Sequence, residues 1–432
     1  MFSKTNKIKR NFIMVIALAL VILLVSALTF TIQANMIKFP IPHNSVGTYW
    51  TNYTSRPSGD GGESSPYTIK SEENLAWLID NMKTGDIYIS MDTDIDLSAH
   101  QWVPIKCRSI SIDNGYIGVH FEGNGHTISN MRVNNSGFNG GLFDTFDAKY
   151  RSALTVSNLD FENVDISQSG DAGTLAGYIL GGTIDNVYVK SGVIKGESVG
   201  GLYAMGWSEV WNSSNNATVI SSGSCAGGIV GYGGYHNGNI NTGDIYAGAD
   251  YLPGVESTQG HIGGIAGYSD YIANCFNYGD IHVLRGTPIV GGVVGRGRVS
   301  SSGSMCNIIV VSSACYIGSI SGTYTSAHTE KSFGIANVYL DNPDAAVSAV
   351  NPWGSEDGDM QNCYSYTRVY KTGDSALVEH RRLAANKDEF NELYAHDANI
   401  NGGFPFLKSM YAVGQFMDTN PYDYLKNNGF LS

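Results

Sequence analysis

A short glycine motif recurs seven times along the middle of this 432-residue sequence, and it constrains the fold more than any other feature. Each copy has a glycine, a small residue, two mostly apolar residues and usually another small residue. The copies begin at Gly140, Gly173, Gly200, Gly227, Gly263, Gly291 and Gly318, with spacings of 33, 27, 27, 36, 28 and 27 residues. A base period near 27 with occasional insertions indicates a repeat protein that grows in one dimension.

An asparagine marks a second position in most repeats. An apolar residue and a spacer precede it, and a short alternating segment follows, at Asn130, Asn158, Asn186, Asn212 and Asn274, with weaker copies at Asn307, Asn337 and Asn362. Asparagine suits a turn because its side chain bonds to nearby backbone and tolerates left-handed dihedral angles. Stacked at one position per repeat, such residues can form an amide ladder.

The segments between these landmarks are short, alternating and rich in glycine, which favours short strands over helices. A repeat of this length accommodates three strands and three turns, with successive coils about 4.8 Å apart. We therefore predict an all-β fold, a right-handed parallel β-helix (solenoid) of roughly ten coils, with glycines at its tight corners. The predicted structural repeat positions are Gly200, Gly227, Gly263, Gly291, Asn158, Asn186 and Asn274.

Four regions are predicted: a signal peptide or membrane anchor at 1–34, a flexible spacer at 35–66, the β-helix with its cap and closing coil at 67–408, and a C-terminal tail at 409–432. Because an open β-helix exposes a sheet edge, each end needs a cover. Ser71 is predicted to cap an amphipathic helix that stops at Gly85 and has Leu75, Leu78, Ile79 and Met82 on one face. At the other end, a short helix from Asn386 to Tyr394 is predicted before Gly402-Gly403-Phe404-Pro405.

The N-terminus has the pattern of an export signal. Lys4, Lys7, Lys9 and Arg10 precede an uncharged, mostly apolar run from Phe12 to Ile32. The run is long enough to stay in the membrane as an anchor, while Ala27 and Ala34 offer positions for cleavage, and the sequence leaves both outcomes open. Either one predicts that the rest of the chain is extracellular, at a bacterial-type cell surface or secreted.

Charge and motifs exclude several classes of function. The 26 basic and 39 acidic residues give a net charge of −13, which argues against a nucleic-acid partner. None of the ten histidines is followed by glutamate, so the His-Glu-x-x-His site of a metallopeptidase is missing, and phosphate loops and nucleophile elbows are missing too. Asp92-Thr93-Asp94-Ile95-Asp96 opens like a calcium loop but lacks its glycine and glutamate, so a strand is favoured. No metal or cofactor is predicted.

The six cysteines are scattered and include no Cys-x-x-Cys pair. This spacing is unlike that of a zinc site or a small disulfide scaffold, so buried free thiols are predicted. The pair most worth testing for a disulfide is Cys306 and Cys315. The full set is Cys107, Cys225, Cys275, Cys306, Cys315 and Cys363.

Several segments together resemble the GLUG-repeat proteins of bacterial surfaces. The similar segments are Gly59-Asp60-Gly61 with Pro66-Tyr67-Thr68-Ile69, Leu75-Ala76-Trp77-Leu78, Asp94-Ile95-Asp96-Leu97 with Trp102-Val103-Pro104-Ile105, Phe121-Glu122-Gly123-Asn124-Gly125-His126-Thr127-Ile128 and Gly402-Gly403-Phe404-Pro405. The resemblance runs from about Gly59 to about Leu407, although the repeats after Gly318 are degenerate. It implies a surface adhesin-like protein or an accessory region of an IgA-specific metallopeptidase, and it brings no catalytic residues with it.

Two groups of residues could carry chemistry or binding. Coil stacking could gather acids and lysines into a polysaccharide-modifying site (lyase, epimerase or hydrolase), from Asp160, Glu162, Asp165, Asp185, Lys190 and Lys195. Aromatic rings in turns and loops could instead bind a ligand, and the predicted set is Trp207, Trp211, Tyr235, Tyr251 and Tyr271. A third set, Tyr178, Tyr232 and Tyr268, shares one repeat position and could stack as a structural cover for a corner.

The export pattern, the repeats and the missing catalytic motifs favour a non-catalytic, adhesin-like surface protein whose β-helix binds a glycan, matrix or protein ligand. The expected partners are therefore an extracellular glycan or protein, and the membrane if the N-terminal segment is uncleaved. The alternatives are the polysaccharide-modifying enzyme and a passive structural stalk.

Overall fold

The structure is a computed structural model that describes most of the chain after residue 47. The described residues are 48–107, 117–135, 139–146, 153–223, 225–248, 260–286, 288–311, 316–322, 328–340, 346–348, 360–361, 363–371, 377–384, 394–395 and 406–407. The predicted signal or anchor segment and the predicted C-terminal tail lie outside them. Within these ranges, no helix has the length and apolar character needed to cross a membrane.

The described chain is all-β apart from one helix and two short 3-10 turns, and its strands pair in parallel from coil to coil. This is the arrangement of a parallel β-helix, as predicted from the repeat, while its handedness stays a prediction. The strands of the main sheet are Tyr67–Ile69, Gly85–Met91, Ile95–Asp96, Ile117–Ser129, Arg132–Asn135, Thr145–Phe146, Ala153–Glu162, Val164–Gln168, Ala176–Ile179, Gly182–Val189, Gly192–Gly196, Tyr203–Gly206, Glu209–Trp211, Ser214–Asn215, Thr218–Ser221, Val230–Tyr232, Tyr235–Asn237, Ile240–Asn241, Ile245–Ala247, Ala266–Ala273, Phe276–Asn277, Ile281–Val283, Val294–Ser300, Gly303–Val310, Thr329–Glu330, Phe333–Leu340, Met360–Gln361, Tyr364–Lys371 and Leu377–Ala384.

A second, narrower sheet carries the first residues of the glycine motif. Its eight strands are Asn139–Gly140, Asp171–Ala172, Val199–Gly200, Cys225–Gly227, His261–Gly263, Ile289–Gly291, Tyr316–Gly318 and Ala346–Ser348. A separate antiparallel pair joins Tyr394–Ala395 to Phe406–Leu407. Tyr394 therefore begins a strand, whereas the sequence predicted the end of a helix, and residues 386–393 lie outside the described ranges.

One inward-facing column runs through the whole stack and forms the centre of the core. Its members pair in register, and all those with described side chains are buried. In order they are Tyr67, Ile89, Phe121, Val156, Ile184, Val210, His236, Ile272, Val299, Thr329 and Met360. Their burial is the main source of stability, because each coil hides its apolar side chains only against its neighbours.

The motif glycines stack on one another as the repeat period predicts. Gly200, Gly227, Gly263, Gly291 and Gly318 pair in register. A Cβ added at Gly227 would lie 2.0 Å from the Val230 carbonyl oxygen, so the corner is too tight for any side chain. The predicted position of the first copy of the motif is wrong by one residue. The repeat spacing aligns Gly140 with Gly173, whereas in the structure Gly140 pairs with Ala172.

A buried amide ladder explains the second glycine of the motif. Asn215 Nδ2 donates to Asn241 Oδ1 at 3.1 Å, and Asn241 Nδ2 donates to Asn277 Oδ1 at 2.9 Å, with all three side chains fully buried. A Cβ at Gly228 would lie 2.2 Å from Asn241 Cγ, and one at Gly264 would lie 2.2 Å from Asn277 Cγ. The corner therefore has no side chain where the ladder needs space. The sequence analysis did not find this ladder.

The outer asparagine turns are left-handed as expected, with φ between 45° and 58° at Asn130, Asn158, Asn186, Asn212 and Asn274. Asn186 Nδ2 donates to Asn158 Oδ1 at 3.2 Å, which is one step of the predicted ladder. Asn130 belongs to a different column, because it bonds to Asn163 at 2.6 Å. Asn212 bonds instead to Asp185 at 3.0 Å and Asn274 to Asn237 at 2.9 Å. The weaker copies Asn307 and Asn337 pair in register, and the Asn337 amide donates to Asn307 Oδ1 at 3.0 Å.

The N-terminal helix covers the first coil. It runs from Glu72 to Asn81 and buries Leu75, Ala76, Leu78 and Ile79, while the Ser71 hydroxyl accepts from the Asn74 N–H. Trp50, in the segment predicted to be a flexible spacer, is 4% exposed and donates from Nε1 to the Leu97 carbonyl at 3.3 Å. Residues 48–66 thus pack against the cap, a contact for which the sequence gave no periodic signal.

The last long parallel strand, Tyr364–Lys371, is covered by Leu377–Ala384, which pairs with it antiparallel. This reversal ends parallel growth and shields one edge of the stack. Five cysteines lie in the described residues, and all of them are buried thiols: Cys107, Cys225, Cys275, Cys306 and Cys363. Cys315, the suggested partner of Cys306, lies outside those residues.

Candidate functional site: an aromatic strip on one side of the β-helix

Two neighbouring columns of outward side chains carry most of the exposed rings on one side of the stack. The first column is Tyr178, Met205, Tyr232, Tyr268 and Arg296. The second begins with Glu209, Tyr235 and Tyr271. We call these two columns, with Trp207 in the turn between them and Asp270 in the strand Ala266–Ala273, the aromatic strip.

The tyrosines of the first column stack face to face. The ring centroids of Tyr232 and Tyr268 are 4.5 Å apart with an interplanar angle of 14°, close to the spacing of neighbouring strands. The pKa of Tyr232 is raised, chiefly because its ring is partly buried against its neighbours. Because the rings cover one another, this column presents ring edges rather than ring faces, and it acts as a wall of the strip.

Trp207 has the opposite orientation. Its ring is tilted by 79° from that of Tyr232, with the centroids 5.5 Å apart. Its indole Nε1 donates to Asp270 Oδ2 at 2.8 Å, although Asp270 lies 63 residues further along the chain. The indole therefore lies along the stacking direction of the coils, and 44% of its surface is still exposed.

Gly233, in the intervening coil, lies beside this indole. A Cβ at Gly233 would lie 1.7 Å from the Gly206 carbonyl oxygen but 3.4 Å from Trp207 Cδ2, which is an ordinary contact distance. Gly233 and Gly234 have φ of 97° and 88°, values that side-chain-bearing residues rarely adopt. The same repeat position two coils earlier holds Gly181 and Gly182, so this glycine pair belongs to the corner of the coil rather than to the indole.

A buried polar group supports the turn from below. His236, only 1% exposed, donates from Nε2 to the Gly233 carbonyl at 3.0 Å. Burial lowers the pKa of His236 to about 4, so the ring is neutral near neutral pH. The Tyr203 hydroxyl, also buried, accepts from the Ser208 N–H at 3.3 Å, and burial raises the pKa of Tyr203. The backbone that carries Trp207 is thus fixed by side chains of the core.

The structure brings four of the five predicted ligand-binding residues to this side. Trp207, Tyr235 and Tyr271 are 44%, 52% and 39% exposed. Trp211 is half-buried, and its Nε1 lies 3.4 Å from Glu209 Oε2. Tyr251 lies outside the described residues.

The sequence analysis missed the role of Asp270, which holds Trp207 and accepts from the Tyr268 hydroxyl at 3.4 Å. It also placed Tyr232 and Tyr268 in a separate structural set, whereas both border the strip. The glycine pair Gly233-Gly234 was not a signal for this ring, because Gly181-Gly182 occupies the same repeat position two coils earlier.

The acids and lysines considered for polysaccharide chemistry lie on three successive sides of the coil. Asp160 and Lys190 form an ion pair of 2.7 Å, and Glu162 follows on the same strand face. Asp185 lies before the turn at Asn186, and Asp165 and Lys195 lie after the next turn. The six residues therefore do not meet in one paired-carboxylate site.

The Asp92–Asp96 stretch does not have calcium-loop geometry. Asp92 pairs with Lys70 at 3.4 Å, Asp94 with His126 at 3.1 Å, and Asp96 accepts from the Asn130 amide at 2.8 Å. Each carboxylate is committed to a different partner, and Ile95–Asp96 is a strand. Within the described residues, no group of three or more histidine, cysteine, aspartate or glutamate side chains could hold a metal ion.

The fold and the strip define a parallel β-helix protein with an aromatic face on one side. The chain is 32% identical over 186 residues to Halomucin from Haloquadratum walsbyi, a match that covers 40% of this chain and 2% of that protein. No protein-family model matches the chain, so the GLUG-repeat resemblance stays a prediction.

Two solved structures are similar at 19% identity. One, from Bacteroides ovatus and provisionally described as an immunoglobulin A1 protease, has a TM-score of 0.49 and covers 81% of this chain and 94% of its own. The other, described as an IgA1 protease, has a TM-score of 0.43 and covers 74% of this chain and 22% of its own.

Proposed function

We propose that this protein is an extracellular, non-catalytic β-helix that binds carbohydrate through the aromatic strip. The exported pattern of the N-terminus and the similarity to Halomucin support an extracellular or surface location. Whether the protein is anchored or released depends on cleavage of the N-terminal segment.

The observation that carries the proposal is the indole of Trp207. Its ring is 44% exposed on the same side as Tyr235 and Tyr271, which pair in register and are 52% and 39% exposed, and a group of exposed rings, unlike a single one, marks a candidate binding surface. Here the ring is also held in one orientation by its hydrogen bond to Asp270 and its edge contact with Tyr232, so little conformational freedom is lost on binding. The flat C–H face of a sugar ring packs well on such a surface, while its hydroxyls can reach the neighbouring tyrosine hydroxyls and Asp270.

The enzyme alternative has less support, because its candidate acids are distributed over three sides and Asp160 is neutralised by Lys190 at 2.7 Å. A passive stalk would not need a fixed, exposed indole. A protein ligand is the main competitor for the same strip, since aromatic residues are also enriched at protein interfaces.

A glycan array probed with the full-length protein, followed by calorimetric titration of the best ligand, tests the proposal. Trp207→Ala should weaken binding at least about tenfold, as expected for an aromatic anchor, and Trp207→Phe should lose less. Tyr188→Ala is the matched control, since Tyr188 is 38% exposed on another side of the stack. If Trp207→Ala binds as tightly as wild type, or if no glycan binds and a protein does, carbohydrate binding at this strip is refuted.

A further inference from the structure

The aromatic strip ends in two arginines. Arg296 follows Tyr268 in the first column, and its guanidinium carbon lies 5.9 Å from the centroid of the Tyr268 ring. The strand register shifts between Ser269, which pairs with Gly297, and Ile272, which pairs with Val299. Asp270 and Tyr271 therefore both lie opposite Arg298, and Arg298 continues the second column after Tyr271. Both arginines are exposed.

Neither arginine forms an ion pair with a carboxylate of the described residues. The nearest acid of the strip, Asp270, already accepts from Trp207 and Tyr268. In the next coil, Glu330 accepts from Ser300 at 2.8 Å and lies 3.4 Å from His328. The two positive charges are therefore available to a ligand, although the whole chain has a net charge of −13.

Stacking on Tyr268 also orients Arg296. A guanidinium over an aromatic ring gains cation–π attraction and keeps its N–H groups free for bidentate contact with a carboxylate or a sulfate. Burial lowers the pKa of the neighbouring His261, and electrostatic repulsion by Arg296 contributes a smaller effect in the same direction. The positive charge at the arginine end of the strip is therefore a separate feature from the exposed indole of Trp207.

The opposite end of the strip has the reverse charge. Glu209 precedes Tyr235 in the second column, two coils before Tyr271 and three before Arg298. A ligand lying along the strip would therefore have its negative group attracted to the arginine end and repelled from the Glu209 end. The field selects both the charge of the ligand and its direction.

We propose that the strip recognises an anionic glycan, whose sugar rings pack on Trp207 and whose carboxylate or sulfate groups bind Arg296 and Arg298. This inference rests on the proposed function, because it assigns the class of carbohydrate to the same site. Sugar stacking supplies contact area, and the arginines supply preference for acidic over neutral chains.

Calorimetric titration of the full-length protein with three oligosaccharides of equal length tests the assignment. The probes are an oligogalacturonate, a heparin-derived sulfated oligosaccharide and a neutral cello-oligosaccharide. The double variant Arg296→Gln/Arg298→Gln should bind the preferred acidic probe about tenfold more weakly, since two exposed charge pairs are lost, and should bind the neutral probe unchanged. Binding of the acidic probe should also weaken with added salt. Comparison of the first two probes shows which anion is preferred.

The control is Lys70→Gln/Lys106→Gln, which removes the same charge from exposed positions at the cap. This variant should bind like wild type. If acidic and neutral probes bind wild type equally and the arginine substitutions change nothing, the anionic preference is overturned, while loss of binding in Trp207→Ala would still support a carbohydrate site. If wild type binds none of the probes, the anionic-glycan assignment fails, and the glycan array decides separately whether carbohydrate binding fails with it.

Discussion

The buried histidine under the strip predicts a specific dependence of stability on pH. His236 occupies an aliphatic column between Val210 and Ile272, and burial lowers its pKa from 6.5 to about 4. Its Nε2 donates to Gly233, and its Nδ1 has no hydrogen-bond partner among the described residues, so a second ring proton would be buried without an acceptor. The only acid that favours protonation, Asp270, is a minor influence.

The sign follows from linkage between protonation and folding. For a base whose folded pKa lies below the unfolded value, the stabilisation is fully present above about pH 6.5 and is lost as the pH falls towards 4. The difference amounts to about 2 kcal/mol at about pH 5 and about 3 kcal/mol near pH 4. Asp171 opposes this trend, because burial raises its pKa to about 6 and its contribution to stability is lost as the pH rises.

A comparison of variants removes that interference. His236→Leu fits the aliphatic column and cannot titrate, whereas Asp171 and every other group stay the same. Guanidinium unfolding, followed by tryptophan fluorescence, should show that wild type loses about 2 kcal/mol more than His236→Leu between about pH 7.5 and pH 5. Equal losses in the two proteins would refute the assignment of a neutral, buried His236. At about pH 7.5 alone, His236→Leu should lose about 1 kcal/mol, from the missing bond to Gly233.

Three further predictions concern the corners and the core. Gly228→Ala should destabilise the fold by about 1–3 kcal/mol or more, because its Cβ would lie 2.2 Å from both Asn241 Cγ and the Gly264 carbonyl oxygen. The control is Gly62→Ala, whose Cβ would meet only a movable Asp60 oxygen at 3.2 Å. Equal melting temperatures of the two variants would contradict the clash at Gly228. Asn241→Ala breaks two bonds of the buried ladder and should cost about 2 kcal/mol in chemical unfolding, so an unchanged midpoint would argue against the ladder. Ellman's reagent should react with the five described thiols only after unfolding, and rapid labelling of more than one thiol per native chain would contradict their burial, because Cys315 is the only cysteine outside this set: Cys107, Cys225, Cys275, Cys306 and Cys363.

The stacking of coils was predictable because it depends on residues with one physical meaning. A glycine that recurs at the coil period marks a place where any Cβ would meet backbone, and this held from Gly200 to Gly291. The cap helix was predictable for the same reason, since Ser71 and the apolar spacing define it locally.

The inner ladder could not be predicted, because it depends on register. Asn212 and Asn215 look equivalent in the sequence, yet Asn212 takes the left-handed turn while Asn215 points into the core. A shift of one residue reverses which side chains face inward, and only the paired strands fix that choice.

The contact between Trp207 and Asp270 was also out of reach of the sequence. The two residues are separated by one coil of ordinary length and one with an insertion, so no fixed spacing relates them. Only the position shared by Tyr178, Tyr232 and Tyr268 was visible, and it suggested a cover for a corner rather than the wall of a site.

An ionisable side chain interrupts the inward-facing column beneath the strip, and this argues for a selected feature rather than an accident of stacking. The single histidine of that column is His236, and it donates to the carbonyl of Gly233, in the coil that follows Trp207. A buried imidazole costs stability relative to the apolar side chains of Val210 and Ile272 on either side of it. Natural sequences keep such local costs mainly where function requires them. The core of this coil is therefore less favourable than it could be, next to the turn that carries an exposed tryptophan.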